Sequence, residues 1–261
     1  MAIALARRTV LLAALFLPAM AAAQAVRTDA PAPRTYAVVS LIGDQFSVVS
    51  RRHSVGTRLD PNERRVFAMP DPVFDRIAGA AVERALLAAK PATPVLQAAI
   101  CDPRLFALQD KLLTESQESH DMRIALNDVL AKAGATHLLL VTKWRGEAMF
   151  PVTTGMIGGG GPISGLGFYL DNETTMSNVE RPNTGVGFLA PFAYVMVSLI
   201  ELPAMRVLKS RQAPESWLWL PADKQGADRS WDALSAKEKV SALENLVQKA
   251  AQVGTYAVLA P

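Results

Sequence analysis

The residues able to do chemistry in this 261-residue chain are few. They are His53, His120 and His137, the single cysteine Cys101, and a glycine-rich run, Met156–Asn172, reading MIGGGGPISGLGFYLDN. No histidine stands at metal-ligand spacing from another histidine or from the cysteine. His120 precedes Asp121 in a charged stretch and His137 opens an apolar run, so each reads as structural, without the converging partners of a hydrolytic or metal site. A triad built from distant positions would be invisible to spacing. Cys101 ends the apolar run VLQAAIC; alone, it forms no internal disulfide and reads as a small buried hydrophobe.

The glycines fail as a phosphate loop. Gly160 and Gly165 have the Walker spacing, but Leu166 and Gly167 stand where the lysine and the Ser/Thr must be. The dinucleotide pattern G-x-G-x-x-G fails at every register. Between Gly146 and Glu180 there is no lysine or arginine, while Glu147, Asp171, Glu173 and Glu180 are acidic, so a phosphate would meet a negative field. Ser164 lacks the flanking glycines of a nucleophile elbow, having Pro162 and Leu166 instead. Neither catalytic residues nor a cofactor or metal are expected.

What the run offers is conformational freedom and apolar surface. Leu166 and Phe168 fall on one side of a strand and Tyr169 on the other, with Met156, Ile157 and Ile163 adding apolar area. Folded back, these groups fill a cleft or cover a sheet face, which is the favoured reading because large exposed patches are unusual. Projecting, the same six residues form the candidate contact for a partner or a membrane. A second candidate is SRRHSVGTRLDPNERR, where Arg51, Arg52, Arg58, Arg64 and Arg65 could meet an anionic surface, diluted by Asp60 and Glu63. Trp217 and Trp219, one residue apart in ESWLWL, face one side of a strand and read as core rather than as a binding stripe.

The elements that must position these residues read as α/β, with α+β as the alternative: a mixed sheet with helices packed on it. TYAVVSLI and QFSVVSRR flank Gly43-Asp44 and read as a hairpin. Residues 52–70 read as irregular. Asp71-Pro72 opens a helix, VLQAAIC is a short strand, and Asp102-Pro103 signals a second, longer helix through Leu126 and Leu130 to Gly134. THLLLVTKWR reads as a strand covered on both faces, and FAYVMVSLIEL and RVLKS as a final antiparallel pair. Ser235-x-x-Glu238 is a capping box that opens a C-terminal amphipathic helix. The stretch 146–190 reads as a Gly-rich, hairpin-like excursion. Residues 182–200 carry no charge, but Pro191, two glycines and a β-branched, aromatic composition fit a loop feeding a buried strand better than a membrane helix.

The N-terminus bears an export signal. Arg7 and Arg8 precede the apolar Val10–Leu17, and Ala21-Ala22-Ala23 and Ala23-Gln24-Ala25 both fit small-x-small cleavage. Residues 1–25 are therefore expected to be a signal peptide, residues 26–34 a Pro-rich tether, and residues 35–261 a single domain. The full chain holds 27 basic and 24 acidic side chains, and loss of Arg7 and Arg8 leaves a near-neutral product. Such a balance excludes the basic footprint of a nucleic-acid binder. No cysteine stands at the cleavage point, so a periplasmic protein without a lipid anchor is expected.

The order TYAVVSLIG, PDPVFDRIAGAAVERALLAAK, AGATHLLLVTKW and AYVMVSLIELPAMRVLKS resembles the periplasmic α/β module of the Tol translocation protein's N-terminal domain. It is similar, too, to outer-membrane activators of penicillin-binding proteins and to the curli secretion channel. In that group a helix leads into a strand of the form Ala-x-x-hydrophobic, as Ala135 to Val141 does here, and a later strand turns into x-Val-Leu-x-Ser, as at Val207 to Ser210. The resemblance covers roughly Thr35 to Arg211. The Gly-Asp hairpin and the glycine excursion depart from it, and the lipid-anchoring cysteine of several members is absent. It implies binding and assembly work in the cell envelope, with no catalytic residues to carry over. The expectation is an exported, non-enzymatic envelope protein that binds a protein partner or self-associates, with membrane contact as a further use of the excursion. A periplasmic hydrolase and an oligomeric outer-membrane pore or secretion component are the alternatives.

Overall fold

The computed structural model describes residues 34–43, 45–52, 62–69, 71–100, 102–114, 116–153, 155–177, 184–220 and 226–261. In chain order the elements are β1 (Tyr36–Ser40), β2 (Gln45–Ser50), β3 (Glu63–Ala68), α1 (Val73–Ala89), β4 (Val95–Ala98), α2 (Pro103–Ala107), α3 (Gln117–Lys132), β5 (His137–Lys143), β6 (Arg145–Val152), β7 (Gly155–Ser177), β8 (Thr184–Glu201), β9 (Arg206–Ser216), α4 (Gly226–Ala233) and α5 (Ala236–Leu259). The fold is α/β: a mixed sheet with helices packed on it.

The uncharged stretch of the sequence forms most of β8, the spine of the sheet. One edge of β8 carries β5 and then β7, end to end: Lys143 lies opposite Val195 and Gly165 opposite Tyr194. The other edge carries β9. Outside β5 come β1 and β4, in parallel register, and outside β7 come β2, parallel, and β3, antiparallel.

This arrangement corrects the expected hairpin at Gly43-Asp44. β1 and β2 pair with different strands and run as successive segments of one line. Asp44 lies outside the described residues. β1 is buried along its whole length, as befits a strand covered on both faces rather than half of a solvated hairpin. The joint is held from α1. Asp75 in its first turn accepts the Ser40 hydroxyl at 2.6 Å and the amides of Ile42 at 2.9 Å and Gly43 at 3.1 Å. Burial raises the Asp75 pKa, and these hydrogen bonds oppose the rise.

Alternation along β8 sorts the core onto two faces. Leu189, Ala193, Val195, Val197 and Leu199 pack with Phe168 and Val48 beneath α1, α4 and α5. The opposite face is divided. Beside β5, Ile200, Leu138 and Leu140 pack under Leu126 and Leu130 of α3. Beside β7, Phe188, Ala190, Phe192 and Tyr194 are covered by Ala148, Phe150 and Ile163 of the β6–β7 hairpin.

Local signals place most helices. α5 starts at the expected capping box, with Ser235 Oγ accepting the Glu238 amide and the Glu238 carboxylate accepting the Ser235 amide. Asp102 caps α2 by accepting the Arg104 amide at 2.9 Å, but α2 stops at Ala107 and α3 begins afresh after Ser116, so one expected long helix is two. Gly134, at φ +81°, follows the end of α3 as expected. β3 was not expected. Its six residues are all exposed, and charged Glu63, Arg64 and Arg65 keep its outer edge in water. Among the described residues, no helix is long and apolar enough to cross a membrane.

Candidate functional site

The glycine excursion folds back. β6 and the start of β7 form a hairpin over the sheet, and β7 then bends into the sheet itself. Of the six apolar residues offered as a partner contact, Ile163, Leu166, Phe168 and Tyr169 are buried core, and Ile157 packs against it. Only Met156, at 56% exposure beside the hairpin turn, is free to meet a partner. The physical reason is close approach of backbone to ring. The Tyr169 hydroxyl donates to the Gly159 carbonyl, and a Cβ on Gly159 would sit 2.7 Å from Tyr169 Cζ and 3.0 Å from Phe150 Cε2. The glycines thus let a hairpin lie flat on aromatic side chains. Excising 155–167 would remove Ile163 and Leu166 from two cores.

Part of the arginine segment meets that same excursion, while Arg52, Arg64 and Arg65 stay exposed. Arg51 Nη1 donates to Asp171 Oδ2 at 2.8 Å and to Thr174 Oγ1 at 2.7 Å. Arg64 donates to the Pro162 carbonyl at 3.3 Å, and Asn62 to that of Gly160 at 3.2 Å. Arg52 pairs with Glu63. Arg65 is exposed, beside Glu63, and Arg58 and His53 lie outside the described residues. Arg51, Arg52 and Arg64 thus bond within the fold, Arg51 from a partly buried position and Arg52 and Arg64 from the surface.

Two of the three histidines are described. His137 is buried and stacked on Tyr36 at 5.1 Å. Its Nδ1 lies 3.0 Å from the Thr136 hydroxyl, which also accepts the Thr35 amide and donates to the Thr35 carbonyl. Burial, then the charge of Arg34, lowers its pKa, favouring the neutral ring. His120 is exposed on α3. No cluster of three or more His, Cys, Asp or Glu among the described residues could hold a metal ion. Cys101 lies outside them.

The residues sequence reading misplaced are the tryptophans. Leu189 and Trp219 form an isolated antiparallel bridge, donating amide to carbonyl at 3.0 and 2.7 Å. Directly opposed residues share a face, so Trp219 and Trp217 lie on the side of Leu189, toward α4 and α5. Leu218 and Leu220 take the other side, against the hairpin core. The expected alternation holds, but the leucines, partly buried, are the set that packs on the core. Trp217 and Trp219 remain 36% and 39% exposed, with ring centroids 5.8 Å apart.

Together they wall a groove of about 250 Å³. Its floor is Phe168, Leu189 and Pro191 of the sheet, and its far wall is Leu234 and Ala242. Phe168 is braced from behind by Trp231 at 5.0 Å and Phe46 at 6.1 Å, and Lys239 caps the Trp231 ring at 3.9 Å. Glu238 stands at the groove, its pKa held below the usual carboxylate range by the Ser235 hydroxyl and amide. The site is a largely apolar slot with indole edges and the polar Glu238 and Ser241 at its lining, suited to taking up an apolar group.

No family model matches the chain, and no curated protein matches it. Among solved structures it is similar to protein XCC0632 from Xanthomonas campestris, described as DUF330, at 10% identity over 87% of this chain and 82% of that one, with a TM-score of 0.35.

Proposed function

We propose that the chain is an exported, non-enzymatic cell-envelope protein that binds a partner protein, and that an apolar segment of the partner seats between Trp217 and Trp219. The observation that carries this reading is the pair of half-exposed indoles over a braced aromatic floor. Tryptophans are the side chains whose truncation most often costs an interface 2 kcal/mol or more, and they concentrate in pockets of this kind. The slot has the volume of one large side chain or two aliphatic ones, which fits a peptide anchor better than an extended small molecule. The N-terminal pattern of Arg7-Arg8, an apolar segment and small residues supports export.

The test is co-purification from the native cell with the tagged chain and its Trp217→Ala/Trp219→Ala double variant. The double variant is expected to keep its thermal midpoint within a few degrees, because neither ring is core. It is expected to recover its partner roughly 30-fold less well, the equivalent of about 2 kcal/mol. Equal recovery by the folded variant would remove the groove from the proposal, and full-length chain retaining residues 1–25 in the cytoplasm would remove export.

A further inference from the structure

We propose that a second cleft, between α3 and the turn joining β8 to β9, binds a small carboxylate carried on an apolar body. The inference is independent of the tryptophan groove. The cleft has a volume of about 450 Å³, within the range of small-molecule sites. One wall is a face of α3 on which His120, Arg123, Ile124 and Asn127 recur at helical spacing; the other is Pro203 to Met205. α3 buries Leu126 and Leu130 against the sheet, so this face is left over after the helix has docked.

Charge selects the ligand. Arg123 is partly buried and makes no hydrogen bond or ion pair among the described residues, and no described carboxylate lines the cleft. The nearby acids Glu118 and Asp121 open on a different hollow, with Arg104. A guanidinium that is partly desolvated and lacks a counter-ion is a standing cost, and its planar fork fits the two oxygens of a carboxylate. Among the described lining residues Arg123 carries the only permanent positive charge, which balances one negative charge and leaves a phosphate dianion under-neutralised.

Shape selects the rest. Ile124, half exposed, and Pro203 and Met205 opposite it provide apolar contact for a chain or ring behind the head group. Met205 holds φ +50°, in the left-handed region that a long side chain rarely adopts. Such departures concentrate where a wall must keep its shape for a ligand.

The experiment is calorimetric titration of the mature chain with octanoate, acetate, octanol and inorganic phosphate, repeated on Arg123→Gln and Arg123→Lys. Both variants are expected to fold, since Arg123 bonds to none of the described residues, and circular dichroism checks this. Octanoate should bind the wild type more tightly than any of the other three probes. Arg123→Gln should weaken it at least tenfold, and Arg123→Lys by less, since it keeps the charge and loses the fork. Octanoate bound equally well by Arg123→Gln, phosphate or octanol bound more tightly than octanoate, or no saturable octanoate binding at millimolar concentration would each overturn the proposal.

Discussion

Replacing Gly167 by alanine is expected to destabilise the protein by about 3 kcal/mol, a fall of roughly 6–12 °C in Tm. A Cβ at this position would lie 2.0 Å from the Ser47 carbonyl oxygen and 2.8 Å from Phe192 Cζ. A backbone oxygen cannot rotate away as a side chain can. Relief requires parting β2 from β7, whose register puts Ser47 beside Gly167. The parting would open the core at Val48 and Phe168. Gly158→Ala is the control: its nearest neighbour is Met149 Sδ at 3.7 Å, and it should change stability by no more than about 0.5 kcal/mol. Urea denaturation of the two variants separates a steric requirement from a general intolerance of the glycine-rich segment. Equal losses in both would contradict the close strand approach described here.

The second large effect is expected at Asp171, which is fully buried at the bend of β7. Its Oδ1 accepts the amides of Glu173 and Thr174, each at 2.8 Å, and its Oδ2 accepts from Arg51 and from the Thr174 hydroxyl. Asp171→Ala leaves the Glu173 and Thr174 amides without their acceptor and takes the close carboxylate from Arg51, which keeps the Thr174 hydroxyl at 2.7 Å and Glu173 at 3.7 Å, at an expected cost of about 3 kcal/mol. Adding Arg51→Met to the same chain should recover part of that loss by removing a charge that has lost its nearest carboxylate. The pH dependence has a definite sign. Burial works against ionisation of Asp171, but the hydrogen bonds from Thr174, Arg51 and Glu173 outweigh it and hold the folded pKa below the ordinary value of 3.8. The folded chain therefore releases this proton more readily than the unfolded chain. The contribution is fully present above about pH 4 and is lost as pH falls through the lower, folded value. The stability gap between wild type and Asp171→Asn should be constant from pH 7 to about 5 and should shrink below about pH 4. A gap that stays unchanged to pH 2.5 would show that the carboxylate's charge contributes nothing.

These two sites mark where the sequence stops being readable. Helix starts and stops were legible because their signals are local: the Ser235–Glu238 box, Asp102 before Pro103, Gly134 after α3. The apolar runs of β5 and β8 were legible as buried strands for the same reason. Pairing was not. Gly43-Asp44 has hairpin chemistry, but whether β1 and β2 pair is decided by β5 and β7 lying end to end on β8, far along the chain. β3 pairs along one edge only and is charged and exposed, so its alternation left no apolar stripe to read.

The candidate site was legible only in part. The missing lysine and hydroxyl argue against reading the glycine run as a phosphate loop. Its direction depends on Tyr169 and Phe150 accepting a backbone against their rings, which spacing does not encode. In ESWLWL the alternation was readable, but the choice of face rests on the bridge from Trp219 to Leu189. Size favoured burying the indoles; register turned the leucines toward the hairpin core instead. The α3 cleft left even less trace, since Arg123 and Met205 stand 82 positions apart in the chain.

The central claim is that the tryptophan groove is the contact surface and the glycine hairpin is scaffold. It is tested most directly by placing a photo-crosslinking residue at Trp219 or, separately, at exposed Met156, and irradiating native cells. A discrete adduct from position 219, with none from position 156, is the result expected. Adducts from position 156 alone, or none from either in cells that make and export the chain, would contradict it.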